Sequence, residues 1–594
     1  MELKDLYKVS AIAVALGLTA CGGGDINLDA SSVDNSTDNS TTTTTTPTTP
    51  TEETNPCASY VDEVGVTQQG DVEDDVNCRY NAQFVSSSNE ILTNVTFEEL
   101  PNGGAHIFNE SLYIGENFSS LADATTAGIS RGGDGPTLFI EAGATLAFQP
   151  ARALVINRGS QIRAEGTAAN PITITSETDV DNQVTPEATQ EWGGVVINGF
   201  GFTNACQYMP GWNFEPNTDN SNPLTLVTGT DCSIAVEGLI GNDESNFGGS
   251  LPEDNSGVLN YVVVKHAGAA LSPGNELNGI TFGAVGSQTQ LSNIEIYSNV
   301  DDGIEFFGGG ADMTNYVAVY VQDDSIDIDD GYYGTINNAL VVQGGGLDTS
   351  VGSRTGAHCI ESDGASARNE NDVFDEDYLS RATINNLTCI SSAKDRGTAG
   401  NGDGGAGVNF EEGHIISVNN SIITTAYAGD DTSENNNYCF QAEDGLDAIQ
   451  LAAGLLTFDG NLFVCPDLTA NSSRDALSLT VDTTDPQYVE ALTRRADGAA
   501  GPFTGPAVNF LTDTGNVLSN ALVRADEGVT TNVLNGFLAV PVADILVEGA
   551  PLPAGFAQPG ATFTNADLVW TFGLLDGSRS QPLWFEDGQT PGPR

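Results

Sequence analysis

The chain has 594 residues, enough for one very large domain or several ordinary ones. Acidic residues outnumber Lys plus Arg by 81 to 19, a formal net charge of −62. Such a field repels nucleic acid and anionic lipid head groups, which argues against both as partner surfaces, while it attracts divalent cations. Only three Met, abundant Gly, Thr, Asn and Val, and little amphipathic helical pattern point to an all-β chain.

The first element is a leader. "MELKDLYKVSAIAVALGLTAC" places Lys4 and Lys8 ahead of an apolar run from Ala11 to Leu18. That run is too short for a membrane span and reads as a secretory signal. Leu18-Thr19-Ala20-Cys21 resembles the bacterial lipobox, which implies that Cys21 is diacylated and becomes the first mature residue. Gly22 follows in place of the Asp that retains such proteins at the inner membrane, so the expected location is the outer membrane of a Gram-negative bacterium, on its periplasmic or surface face. Several acyl chains anchor stably where one does not. The stretch up to residue 56, with "STTTTTTPTTPTEETNP", cannot bury a core and reads as a disordered tether.

Beyond Cys21 stand eight cysteines: Cys57, Cys78, Cys206, Cys232, Cys359, Cys389, Cys439 and Cys465. An even number in an exported chain suggests disulfides, and the sequential pairs, 21, 26, 30 and 26 residues apart, suggest that neighbours join. No CxxC or Cys/His cluster is present to suggest zinc.

The body repeats itself. An apolar-x-Asn followed by a β run recurs at Asn293, Asn315, Asn338, Asn386 and Asn420, with Asn260 before them and Asn461 after. The spacing is 22 and 23 residues where tightest and 33 to 48 elsewhere. A basal period near 22 with insertions in one loop is that of a parallel β-helix, in which each repeat is one coil. The Asn residues then form a stacked ladder at a turn. "GPTLFIEAGATLAFQPARALVINRGSQIRAEGTAANPITITSE", "EWGGVVINGFG", "ELNGITFGAVGSQTQLSNIEIYSNVDDGIEFFGG" and "DDSIDIDDGYYG" extend the pattern. Over residues 130–430 these motifs resemble a family of bacterial right-handed parallel β-helix lipoproteins with no established activity. The resemblance implies the fold and an exported, anchored location, and says little of catalysis. The expected order is a signal peptide at 1–20, the lipidated Cys21 and its tether to 56, an N-terminal cap and first coils at 57–130, and the β-helix at 131–475. A less regular C-terminal region at 476–594 completes it, with a short helix at 485–499 and the Trp-bearing "ADLVWTFGLLDGSRSQPLWFEDG" covering the last coil.

Residues 299–330 hold nine acids and no Lys, Arg or His. Counted from Asn293 and Asn315, Asp301-Asp302 and Asp323-Asp324 fall at offsets eight and nine, and Glu305 and Asp327 both at twelve. Coils stack about 4.8 Å apart, so these acids form adjacent rows. Alternation turns Ile304, Phe306, Ile326 and Ile328 inward and Glu305, Asp327 and Asp329 outward. Glu361, then Asn409 and Glu411, continue the row. Carboxylates ~5 Å apart repel by under ~1 kcal/mol in water and by about 3 kcal/mol at an effective dielectric near 20. An open face needs only salt and water. A face covered by the insertions at 344–380 and 396–412 needs protons or cations, and calcium, which takes six to eight oxygen ligands, fits best. Asp301, Asp302, Glu305, Asp323, Asp324 and Asp327 are therefore the expected metal ligands.

Calcium on a β-helix is also the arrangement of pectate-lyase-like polysaccharide lyases, which abstract a proton with a Lys or Arg. Lys394 and Arg396, with Arg354 and His358 in a neighbouring insertion, are the few bases available. A glycosidase would use carboxylates alone, with Asp302, Asp323 and Asp324 as candidates. The sequence favours a non-enzymatic reading: an outer-membrane-anchored scaffold, calcium-stabilised, that binds a glycan, a receptor or a surface partner. A polysaccharide lyase or glycoside hydrolase using the acidic face is the alternative.

Overall fold

The computed structural model describes residues 55–214, 222–239, 244–270, 276–343, 356–364, 378–391, 406–413, 415–425, 438–442, 455–464 and shorter pieces, the last ending at residue 574. Cys21, the tether, the helix expected at 485–499, and Arg354, Lys394, Arg396 and Cys465 lie outside the described residues.

The fold is a right-handed parallel β-helix. A ten-stranded front sheet stacks one short strand per coil, among them Leu112–Ile114, Leu154–Ile156, Val195–Asn198, Ile280–Gly283, Ile304–Phe307, Ile326–Asp329, His358–Asp363, Ala406–Glu411 and Tyr438–Ala442. A second, larger sheet holds longer strands that bend in the middle, such as Gln290–Tyr297, Met313–Val319 and Thr335–Val342. Each bend is one residue in the left-handed region: Asn293, Asn315, Asn338 and Asn386 have φ of 52°, 60°, 61° and 56°. Asn tolerates that conformation because its short amide finds local hydrogen bonds. Here the partner is the next coil: Asn315 Nδ2 donates to Asn293 Oδ1 at 2.9 Å and Asn338 Nδ2 to Asn315 Oδ1 at 2.6 Å.

The ladder departs from the sequence spacing at both ends. Asn260 pairs with Ser292, so Tyr261 (φ 51°) takes the bend in that coil. At the other end Leu462 pairs with Ile422, so Gly460 (φ 67°) stands opposite Asn420, and Asn461 follows the bend. Glycine fills the left-handed position there and frees Asn461 to accept the Ser421 N–H inside the core.

Inward positions build one continuous core in which Ile304, Phe306, Ile326, Ile328, Ile360, Val408 and Phe410 are all buried. Aromatic rings stack along the axis, with Phe282, Phe306 and Tyr332 at successive centroid distances of 4.8 and 4.1 Å. Disulfides join Cys57 to Cys78, Cys206 to Cys232 and Cys359 to Cys389, all neighbours in sequence. Cys439 is disulfide-bonded as well.

Val517–Ser519 stacks on Leu462–Val464 at the end of the large sheet, while the described part of the Trp-bearing segment does not cover the last coil. Residues 559–564 and 566–574 run along the outer side of the bent sheet instead. Gly560 N–H donates to Asn420 O, Ala561 N–H to Thr388 Oγ1, Thr562 N–H to Asn338 Oδ1 and Phe572 N–H to Glu295 Oε2. The reason is hydrophobic. Outward Val263, Val317, Val319, Leu340, Val342 and Ile390 form an apolar stripe that Phe563, Leu568, Trp570 and Leu574 bury.

Candidate functional site on the acidic front sheet

The parallel register fixes two outward columns on the front sheet. The first runs Val155–Val196–Thr281–Glu305–Asp327–Glu361–Asn409–Gln441. The second runs Asn198–Gly283–Phe307–Asp329 and resumes with Asp363 opposite Glu411. In both columns the character changes from apolar or neutral to acidic midway along the stack.

Beside the strand starts a third ladder ties the coils through side chains. Asn278 Oδ1 accepts the Asp302 N–H at 3.2 Å, Asp302 Oδ1 accepts the Asp324 N–H at 2.9 Å, and Asp324 Oδ1 accepts the His358 N–H at 2.7 Å. The His358 ring also meets Asp324, Nδ1 to Oδ1 at 2.8 Å, with Glu361 Oε1 at 3.6 Å. Asn278 Nδ2 donates to Glu305 Oε2.

These acids are not a solvated surface. Glu305 and Asp324 are 5% and 4% exposed, and Asp302 and Asp327 are half-buried. Burial first, then the charges of Asp327, Asp301, Asp324 and Asp323, hold the Asp302 carboxyl well above the usual carboxylate range. Burial and then Glu305 and Glu361 do the same to Asp327, and burial followed by Glu237 and Asp302 to Glu305. For Asp324 the His358 contact opposes the rise, which burial and Glu361 nonetheless win. Asp363 is raised likewise, by burial and then Asp329.

Among the described residues, three sets of side chains bring ligand atoms within 4.8 Å of one another: Asp302 with Glu305 and Asp327, Asp302 with Asp323 and Asp324, and Asp324 with His358 and Glu361. The first two offer oxygen alone, the donor set of a hard cation such as calcium. The third adds an imidazole nitrogen, which suits a transition metal better. A further donor stands in the same column: Asn409 is fully buried, its amide nitrogen donates to Glu361 and Glu411, and its Oδ1 receives no hydrogen bond. An acceptor left without a donor at that depth is costly and fits a cation.

Of the acids singled out from sequence, the fold thus gathers Asp302, Glu305, Asp323, Asp324 and Asp327. Asp301 joins none of the three sets, though its charge acts on Asp302. His358 opens a front-sheet strand, where sequence placed it in an insertion. Asn278, Glu237 and Asp363 were missed. Asn278 was legible: "NGI", "DGI" and "DSI" at 278, 302 and 324 are one position in successive coils.

Stacked coils, an asparagine-lined bend and one acidic lateral face define a parallel β-helix with a side-chain site on its outer wall. Residues 126–459, more than half of the chain, match the model of the pectate-lyase-like β-helix domain, and the chain belongs to that family. No curated protein and no solved structure matches it.

Proposed function

We propose that the protein binds an acidic polysaccharide through divalent cations, calcium foremost, held on the front sheet by Asp302, Glu305, Asp323, Asp324 and Asp327. The observation that carries this is the Glu305–Asp327–Glu361 column, in which buried and half-buried carboxyls are stacked one per coil beside Asp302 and Asp324. A chain of charge −62 repels a polyanion, so cations shared between protein and polymer carboxylates are what attach the two. The leader and Cys21 support export and lipid anchoring at a Gram-negative outer membrane, where an anchored scaffold holds glycan or a receptor near the cell.

A second reading is a carbohydrate-active enzyme, and the Asp324–His358 pair favours it, because an imidazole beside a carboxyl of raised pKa can move a proton. The Asp302, Asp323 and Asp324 oxygens lie within 4.8 Å of one another. That is closer than the roughly 6.5–9.5 Å of an inverting pair.

The test is retention of the purified protein on immobilised polygalacturonate and on a neutral glucan, with calcium and with chelator. Retention on the polyanion in calcium alone is expected, with no new reducing ends and no unsaturated product. Equal retention in chelator would refute the bridged mode, and product release would favour the enzyme.

A further inference from the structure

One of the three side-chain sets on the front sheet differs in kind. Asp324, His358 and Glu361 bring an imidazole up to two carboxyls, where the other sets offer carboxyls alone. Register makes the set. Asp327 stands opposite Glu361, and the same offset of 34 residues carries Asp324 to His358. The ligands come from two coils, so no short spacing in the sequence announces them.

The backbone holds the imidazole in place. His358 N–H donates to Asp324 Oδ1 at 2.7 Å, and His358 O accepts from Ser325 N–H at 3.0 Å and from Gln343 Nε2 at 2.6 Å. His358 and Asp324 are buried. The ring presents Nδ1 to both acids, 2.8 Å from Asp324 Oδ1 and 3.6 Å from Glu361 Oε1. A tetrahedral zinc bound at its usual nitrogen and oxygen distances spaces its ligand atoms about 3.4 Å apart. The two separations lie on either side of that value. Glu361 is held from the next coil, where Asn409 stands opposite and its Nδ2 donates to Glu361 Oε1 at 3.0 Å. Asn409 is fully buried and its Oδ1 receives no hydrogen bond. A bare acceptor at that depth, on the residue that braces Glu361, independently points to a cation in this part of the column.

We propose that Asp324, His358 and Glu361 bind a zinc ion, through His358 Nδ1 and one oxygen of each carboxyl. The donors decide the metal. Calcium takes oxygen and leaves the ring unused, whereas imidazole with carboxylate is a zinc donor set. Three protein ligands leave zinc a fourth position, open to water or to an oxygen of a bound ligand. The site goes beyond the calcium-bridged reading and stands whether or not the front sheet binds a polysaccharide. The competing account is an ion pair between Asp324 and a protonated His358 that needs no metal.

Calorimetric titration of zinc chloride into the full-length protein in excess calcium tests it, with one zinc per chain expected. Asp324 also belongs to an oxygen-only set, so the variants address the two residues that do not. His358→Gln and, separately, Glu361→Gln, which keeps an acceptor for Asn409, should each weaken zinc binding by more than about 100-fold, beyond the usual cost of losing a residue that only supports a ligand. Calcium binding should stay as in the parent. Glu305→Gln with Asp327→Asn should do the reverse, losing calcium and keeping zinc. Cobalt added to the parent reads the donor set without any substitution. A four-coordinate site gives intense blue absorption, and only the weak pink of six oxygen ligands would overturn the proposal. So would a parent that binds no zinc, or equal zinc affinity in the parent and both variants, which leaves Asp324 and His358 an ion pair only.

Discussion

Glu305 stands directly opposite Asp327 across two neighbouring coils, with carboxyl oxygens of the two within 4.8 Å of each other. Both groups are held well above the usual carboxylate range, by burial first and then by their acidic neighbours. In the unfolded chain the same groups titrate near pH 4. Between that value and the raised ones the folded state binds more protons, so stability falls as pH rises through this window. On the proposed reading, calcium takes the place of the protons. In chelator the melting temperature should therefore drop as pH is raised from about 4 towards 8, and added calcium should restore it most at the upper end. A melting temperature that climbs over this range in chelator would contradict the assignment.

Glu295 gives a separate pH effect away from the face. It is fully buried under the C-terminal strap, where Oε2 accepts the Phe572 N–H, and burial raises its carboxyl well above the ordinary range against the pull of Lys265. Its contribution is likewise present at low pH and lost as pH rises. Glu295→Gln keeps the acceptor and never ionises, so the variant should be the more stable protein near pH 8 and match the parent near pH 4. Chemical denaturation at the two pH values reads the difference.

The asparagine bend separates two effects at one position. Asn315 has φ of 60° and both gives and receives a ladder bond. Asn315→Gly keeps the backbone conformation and loses the bonds, at a cost of about 1–3 kcal/mol for the partners left behind. Asn315→Val adds the strain of a branched side chain at positive φ, and should be the worse of the two. Equal denaturation midpoints for both variants would show that the ladder, and not the bend, sets the cost.

The Cys359–Cys389 bond spans 30 residues and ties the front sheet to the bent sheet across the core. Replacing both by Ala should cost about 3–4 kcal/mol from the chain-entropy term alone, read as a lowered denaturant midpoint under oxidising conditions. A midpoint unchanged from the parent would mean that the intervening chain is restrained by other contacts.

How much of this was legible in the sequence differs by element. The period of the repeat was visible because each coil must place an apolar pair inward and a left-handed residue at the bend, and Asn293, Asn315 and Asn338 kept both. Asn260 and Asn461 misled because Tyr261 and Gly460 satisfy the same bend, so the letter shifted while the geometry stayed. The acidic rows followed from equal offsets. Their burial did not, since it depends on contacts remote in sequence, such as Asn278 against Glu305 and His358 against Asp324. The lateral strap was hidden for the same reason: the stripe Val317–Val319–Leu340–Val342 reads as ordinary β alternation until Trp570 is found against it.

A divalent cation on the front sheet is read out by calorimetric titration of calcium into the protein. The parent should release heat with a defined stoichiometry, and Glu305→Gln combined with Asp327→Asn should abolish that heat while leaving circular dichroism unchanged. Asp71→Asn, at an exposed acid outside the front sheet, should bind as the parent does. Heat that is identical in the parent and the double variant, or absent from both, would contradict a cation site on this face.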